Sequence, residues 1–208
     1  MFVYHVLSLV LGYLLGSLPF ALWISRAHGV DILSVGSGNP GMTNVWRTLG
    51  WKPALPVAVL DAAKGAAAAW AGLALTGSSL WALLADIAAV LGHSFSFWIG
   101  FKGGKSVLTA FGVFLFLSPL ASLGALAVWA LVMFLFRYIS LASIAAALSL
   151  PFQIAVNDYE FDWLHDLSPA FYASLPVCAF VIIRHRANIV RLWRGEEPKF
   201  RGKVGQAP

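Results

Sequence analysis

The sequence predicts an all-α fold: a polytopic membrane helical bundle of seven transmembrane helices, N-terminus outside and C-terminus cytoplasmic. Three observations lead there. Hydrophobic residues make up 60% of the 208-residue chain and charged residues 11%, less than half the roughly 25% usual in soluble domains. Apolar runs recur at residues 2–25, 53–76, 79–100, 106–136, 138–156 and 168–183. The basic residues fall between and after these runs, as membrane topology requires. A mean hydropathy of +0.80 agrees.

A helix needs about 20 apolar residues to cross a bilayer. The first run, Phe2 to Ser25, has no basic stretch before it and no small-x-small cleavage site after it. It therefore reads as a retained helix rather than a leader. The second and third runs are each of spanning length. The fourth, at 31 residues, is too long for one upright span and short for two. Its middle holds "LSPLASLG" (117–124), a serine-proline-glycine break.

Charge decides how to divide it. If the run turns near Ser118-Pro119, one side receives Arg26, Arg47, Lys52, Lys102, Lys105, Arg137 and the arginines of the tail. The other receives "TGSS", the Ser-Pro turn and the acidic "NDYEFDWLHD". One long helix would put Arg137 across the membrane from Lys102 and Lys105. The positive-inside rule thus selects seven helices, with the basic side cytoplasmic. Trp163 and nearby aromatics fit an interfacial belt. The whole chain, 1–208, reads as one integral-membrane domain, with 184–208 a cytoplasmic amphipathic, basic tail. No internal repeat is evident, which weighs against an inverted-repeat transporter.

The net charge of +5 is explained by topology and does not call for nucleic acid. Cys178, the only cysteine, permits no internal disulfide and reads as a small buried hydrophobe. No His/Cys/carboxylate cluster has metal-ligand spacing, so no metal or other cofactor is expected. Asp61 and Lys64 lie three apart within the second apolar run, where charges are usually paired and face inward. Asp86 and His93 raise the same question in the third run, and His93 reads as a hydrogen-bonded core residue.

The polar stretches share one side. "GSGNPGMTN" (36–44) offers Gly36, Gly38 and Gly41 for tight turns at positive φ. Ser37, Asn39, Thr43 and Asn44 add donors, and Arg47 follows Asn44 at helical spacing. Backbone N–H groups in such turns can cradle an anion. The stretch lacks the Gly-Lys-Ser/Thr of a nucleotide P-loop, so from spacing alone it is either a phosphate cradle or an ordinary loop. In "FKGGKSVL" Lys105 and Ser106 stand at the start of the next helix, where an anion is favoured, or Lys105 simply marks topology. Ser140 and Ser143 of "RYISLAS" either cap a helix or bind a ligand. His185 and Asn188 share a helical face that is either a site or the polar side of a surface tail.

Four stretches in this order, "GSGNPGMTNVWRTLG", "DAAKG", "GHSFSFWIGFKGGKSVLTAFG" and "RHRANIVRLWRGEEPKF", resemble the bacterial acyl-phosphate:glycerol-3-phosphate acyltransferase family. The resemblance spans nearly the whole chain. Met42 stands where that family usually has alanine, and Ser106 where glycine is usual. The resemblance implies seven helices in the bacterial cytoplasmic (inner) membrane and a site facing the cytoplasm. It implies transfer of a fatty acyl group from acyl phosphate to the 1-hydroxyl of glycerol 3-phosphate. The products are lysophosphatidic acid and phosphate, the first step of phospholipid synthesis. Membrane lipid and the enzyme that makes acyl phosphate are the further expected partners.

On this resemblance Gly36, Ser37, Gly38, Asn39, Gly41, Thr43 and Asn44 would bind acyl phosphate. Arg47, Lys105, Ser143, His185 and Asn188 would hold glycerol 3-phosphate, with Lys105, Arg47, His185 and Asn188 taking part in catalysis. No Ser-His-Asp or Cys-His set suggests an acyl-enzyme. The His-x4-Asp pair of acyl-CoA-dependent enzymes is missing. No carboxylate is assigned to the pocket, so a phosphate oxygen of the donor, or His185, would take the hydroxyl proton. The competing classes are a transporter of organic phosphate and a non-catalytic membrane scaffold. A transporter needs an anion site on the outer side as well, and the outer loops are short or acidic.

Overall fold

The computed structural model describes residues 1–161 and 168–200, which fall into two compact units, 1–113 and 114–200. Trp163 and the last eight residues lie outside the described residues. In the first unit α1 is Phe2–Ser17, α2 Phe20–Ala27, α3 Met42–Leu49, α4 Trp51–Thr76 and α5 Ser79–Ser94. A single 3-10 turn follows at Phe97–Ile99, and then α6, Val107–Leu117, whose last four residues fall in the second unit. The second unit holds α7 (Pro119–Phe136), α8 (Ile139–Phe161), α9 (Pro169–Arg184) and α10 (Arg186–Arg194). No strand occurs among the described residues.

Among the described residues five helical segments are long and apolar enough to cross a membrane, and six if α9 and α10, bent by 55° at their junction, count as one span. The first of the five combines α1 and α2. Large apolar side chains such as Trp70, Phe134 and Phe152 stand outward on these helices, as lipid contact requires. The fourth apolar run is broken where the sequence indicated: α6 ends at Leu117 and α7 starts at Pro119, a proline tolerated in a first turn.

The first run is interrupted too, contrary to the single helix expected. Pro19 has no N–H and cannot continue the ladder of α1. The Leu18 carbonyl left at the break accepts a hydrogen bond from Lys64 Nζ at 2.8 Å. That lysine also pairs with Asp61 at 2.7 Å, the internal ion pair the sequence suggested. Asp86 is fully buried, and neither of its carboxylate oxygens has a hydrogen-bond partner among the described residues.

Helix packing in the first unit relies on small residues. The buried face of α1 is Ser8, Gly12, Gly16 and Ser17. A Cβ on Gly16 would overlap the Ala89 backbone of α5, so α1 and α5 approach closer than any larger residue allows. Beneath the 36–44 loop, Ala21, Leu22, Ile32, Val45, Ala54 and Val57 form a buried core from α2, the loop, α3 and α4. In the second unit α8 packs between α7 and α9, and α10 contacts both α8 and α9.

Candidate active site

The glycine-rich loop runs into the N-terminus of α3. Gly36 (φ 59°) and Gly38 (φ 65°) adopt the left-handed conformation that L side chains disfavour. Gly41 does not: its φ of −147° is extended, and it serves as the N-cap of α3. The expected third left-handed glycine is thus a helix cap, a position that a residue without side-chain bulk also suits. Gly36 and Ser37 are exposed, while Gly38, Asn39, Met42 and Thr43 are half-buried. The N–H groups of Met42 and Thr43, in the first turn, have no intrahelical acceptor by geometry. Arg47, half-buried, lies in the last turn of the same short helix.

Asn44 behaves differently from a ligand donor. It is 1% exposed. Its Oδ1 accepts from Ser37 N at 3.0 Å, and its Nδ2 donates to the carbonyls of Ile32 (3.1 Å) and Val35 (3.0 Å). Both amide hydrogens are spent on the loop, so Asn44 shapes the cradle from beneath. A Cβ on Gly36 would overlap this amide, which ties the glycine to the asparagine.

The second glycine turn is fastened to the end of α5. Gly103 N donates to Ser94 O (3.0 Å) and Gly104 N to His93 O (3.2 Å). Lys105 follows, half-buried, just before α6. Ser106 sits at φ 61°, left-handed, and its carbonyl accepts from Ala110 N at the start of α6. Its hydroxyl turns inward, donating to Val90 O at 2.6 Å and lying 2.8 Å from Ser94 Oγ. The departure from glycine keeps the turn and adds two buried contacts.

In the second unit Ser140 and Asn188 meet at a carboxylate that sequence reasoning missed. Glu197, 7% exposed, accepts from Ser140 Oγ (2.6 Å) and Asn188 Nδ2 (2.7 Å) on one oxygen and from Arg191 Nε (2.7 Å) on the other. Burial alone would raise its carboxyl pKa. The hydrogen bonds from Ser140, Asn188 and Arg191, with the Arg191 charge, outweigh burial and hold it below the ordinary glutamate value. The expectation that no carboxylate stands near the site therefore needs correcting. The sequence signal was a Glu-Glu pair following Gly195, whose left-handed conformation ends α10 and turns the chain back.

Neither serine of "RYISLAS" caps a helix. Arg137 (φ 62°) ends α7, α8 begins two residues later, and both serines fall inside its first two turns. Ser143 Oγ donates to Ile139 O at 2.8 Å and accepts from Trp129 Nε1 at 3.3 Å. His185, 3% exposed, sits at the α9–α10 junction with Nδ1 2.8 Å from Val181 O. A carbonyl oxygen can only accept, so Nδ1 carries a proton in this contact. Arg47 and Lys105 belong to the first unit; Ser143, His185 and Asn188 belong to the second.

Among the described residues no group of three or more His, Cys, Asp or Glu could hold a metal ion. Chemically, the first unit offers two glycine turns, each running into a helix N-terminus; Lys105 stands just before that of α6, while Arg47 lies in the last turn of α3. The second offers a fixed imidazole and a carboxylate-anchored amide.

Comparison with known proteins finds one family along nearly the whole chain. The glycerol-3-phosphate acyltransferase family profile matches residues 6–195. The glycerol-3-phosphate acyltransferase of Synechococcus sp. (strain JA-3-3Ab) is 44% identical over 95% of this chain and 94% of that one. That of Geotalea daltonii is 40% identical over 95% and 98%. Two crystal structures of PlsY (YgiH), an integral membrane glycerol 3-phosphate acyltransferase, share the fold. Its glycerol 3-phosphate form superposes with a TM-score of 0.86 at 38% identity, covering 94% of this chain and 95% of that one. The lysophosphatidic acid form gives 0.84 at 37%, with the same coverage.

Proposed function

This chain belongs to the glycerol-3-phosphate acyltransferase family, and from that premise we propose that it transfers a fatty acyl group from acyl phosphate to the 1-hydroxyl of glycerol 3-phosphate. Lysophosphatidic acid and inorganic phosphate are the products. It is a membrane acyltransferase of phospholipid synthesis. The finer topology rests on the positive-inside pattern: seven spans in a bacterial inner membrane, N-terminus outside, with the site and the basic tail at the cytoplasmic face.

One observation carries the pairing of two phosphate-bearing substrates, and the family resemblance supplies acyl phosphate as the donor. Two separate glycine turns end in helix N-termini, those of α3 and α6, with Lys105 just before α6 and Arg47 in the last turn of α3. Two anion sites suit a reaction in which both substrates carry a phosphate. In this reading the 36–44 loop holds the acyl-phosphate head through backbone N–H groups, with Ser37, Asn39 and Thr43 as side-chain donors and Asn44 as the loop's internal brace. Arg47 and Lys105 in the first unit, and Ser143, His185 and Asn188 in the second, are the candidate ligands of glycerol 3-phosphate that the family resemblance implies. The glycerol phosphate form of the related PlsY structure supports that substrate, and its lysophosphatidic acid form supports that product.

The chemistry needs no acyl-enzyme. Acyl phosphate is a mixed anhydride, and the glycerol oxygen attacks its carbonyl carbon directly. The new ester C–O bond forms as the carbon–phosphate oxygen bond breaks, and phosphate leaves with the electron pair. The enzyme contributes orientation and stabilises charge on the tetrahedral centre and the departing phosphate. The hydroxyl proton passes to a phosphate oxygen of the donor. Glu197 is a poor base, because three hydrogen bonds already stabilise its ionised form. His185, with Nδ1 engaged by Val181 O, serves to orient substrate.

The test is turnover by purified protein in lipid or detergent, following phosphate and lysophosphatidic acid together. Equal yields from acyl phosphate, and none from acyl-CoA, are expected. Use of acyl-CoA alone would overturn the donor. Arg47→Ala and Lys105→Ala are each expected to lose about 10²–10³-fold in rate, by analogy with oxyanion donors.

A further inference from the structure

The charges of "DAAKG" take no part in the reading above, yet they are deeply buried in the first unit: Asp61 is 2% and Lys64 4% exposed. Burying a charge costs several kcal/mol, and a well-packed apolar pair would often serve stability as well or better. The pair is not closed on itself. Lys64 reaches the Leu18 carbonyl at the α1–α2 break. Asp61 Oδ1 lies 3.6 Å from Nδ1 of His93, in the last turn of α5.

His93 then leads to the lysine turn. A Cβ built on Gly104 would overlap its Nε2, so the imidazole edge lies against that glycine's backbone. The His93 carbonyl accepts from Gly104 N, and the neighbouring Ser94 Oγ donates to Gly104 O at 2.9 Å. Asp61, His93 and Gly104 line one small cavity, together with Pro40 of the glycine-rich loop and the Ser17–Pro19 break. One imidazole thus has the Asp61–Lys64 pair at one edge and the Gly104 turn, which precedes Lys105, at the other.

We propose that Asp61 and His93, balanced by Lys64, position the Gly103–Gly104 turn and so set where Lys105 meets the phosphate of glycerol 3-phosphate. Asp61 orients the ring. The ring edge then limits where Gly104 can sit, and Lys64, 2.7 Å from the carboxylate, holds it in place. These are positioning residues: none touches substrate. The inference rests on the reading of Lys105 as a phosphate ligand. A shift of about 1 Å at that lysine can cost about 10²-fold in rate.

The experiment measures thermal unfolding, kcat and KM for each substrate in His93→Ala, His93→Gln, Asp61→Asn, Lys105→Ala and the double variant His93→Ala/Lys105→Ala. His93→Ala and Asp61→Asn are expected to stay folded and to lose about 10²-fold in kcat/KM for glycerol 3-phosphate, with KM for acyl phosphate unchanged. His93→Gln, which restores a polar edge, recovers part of the loss. In the Lys105→Ala background His93→Ala costs nothing more, the non-additivity of coupled residues. Equal losses in both backgrounds, or normal kinetics in a folded His93→Ala, overturn the proposal. If His93→Ala does not fold, normal kinetics in His93→Gln and Asp61→Asn overturn it instead. Normal kinetics in Lys105→Ala alone would overturn the reading of the lysine itself, and the inference with it.

Discussion

Asn188 donates its side-chain amide to Glu197 across 2.7 Å, joining α10 to the chain that follows it. The same oxygen holds Ser140 of α8, so one carboxylate pins an expected site residue to two helices. Glu197→Ala would leave the buried Asn188 and Ser140 donors without their acceptor. A loss of about 1–3 kcal/mol in stability is expected, with turnover falling as Asn188 loses its orientation. Thermal unfolding and kcat in detergent check both.

The same carboxylate predicts a pH dependence. Its folded pKa lies below the ordinary value, so it binds a proton less readily in the folded protein. Its stabilisation is fully present above the unfolded glutamate pKa of about 4.3 and is lost as pH falls through the lower folded value. Unfolding measured from neutral pH downward should show that acid limb in the native protein. Glu197→Gln should flatten it and start from lower stability at neutral pH.

The inward amide of Asn44 makes the glycine loop a braced structure. Asn44→Ala removes three hydrogen bonds to the loop. It should raise KM for acyl phosphate more than KM for glycerol 3-phosphate. Gly36→Ala forces a side chain into a left-handed backbone against that amide, and the same KM should rise. Steady-state kinetics with each substrate varied in turn decide this, and equal effects on both constants would count against the assignment.

Ser106 holds a left-handed backbone with two side-chain contacts in compensation. Ser106→Ala keeps the strain and discards the contacts, so it should destabilise by about 1 kcal/mol. Ser106→Gly discards the contacts but relieves a conformational cost of about 1–2 kcal/mol. The unfolding midpoint of the glycine variant should therefore lie near that of the native protein and above that of the alanine variant.

His185→Gln separates a binding imidazole from a general base. With a donor phosphate oxygen taking the proton, kcat/KM should fall while the pH–rate profile keeps its shape. A profile whose acidic limb flattens would instead make His185 the base.

Much of this protein is legible along the chain because the governing forces are local. Bilayer thickness sets the length of apolar runs, and proline and glycine interrupt them, so the break between Leu117 and Pro119 could be read directly. The interruption at Pro19 was equally local, but the apolar residues around it masked it. Family motifs marked the glycine loop, the lysine turn and the tail. Tertiary structure alone decided what each polar group holds. Asn44 spends its amide on carbonyls 9 and 12 residues away. Ser140 finds its acceptor 57 residues on, and Lys64 finds its own 46 residues back. A buried donor must be satisfied by whatever acceptor folding brings within about 3 Å. That choice depends on how helices pack and where chains turn back, and spacing in the sequence does not encode it.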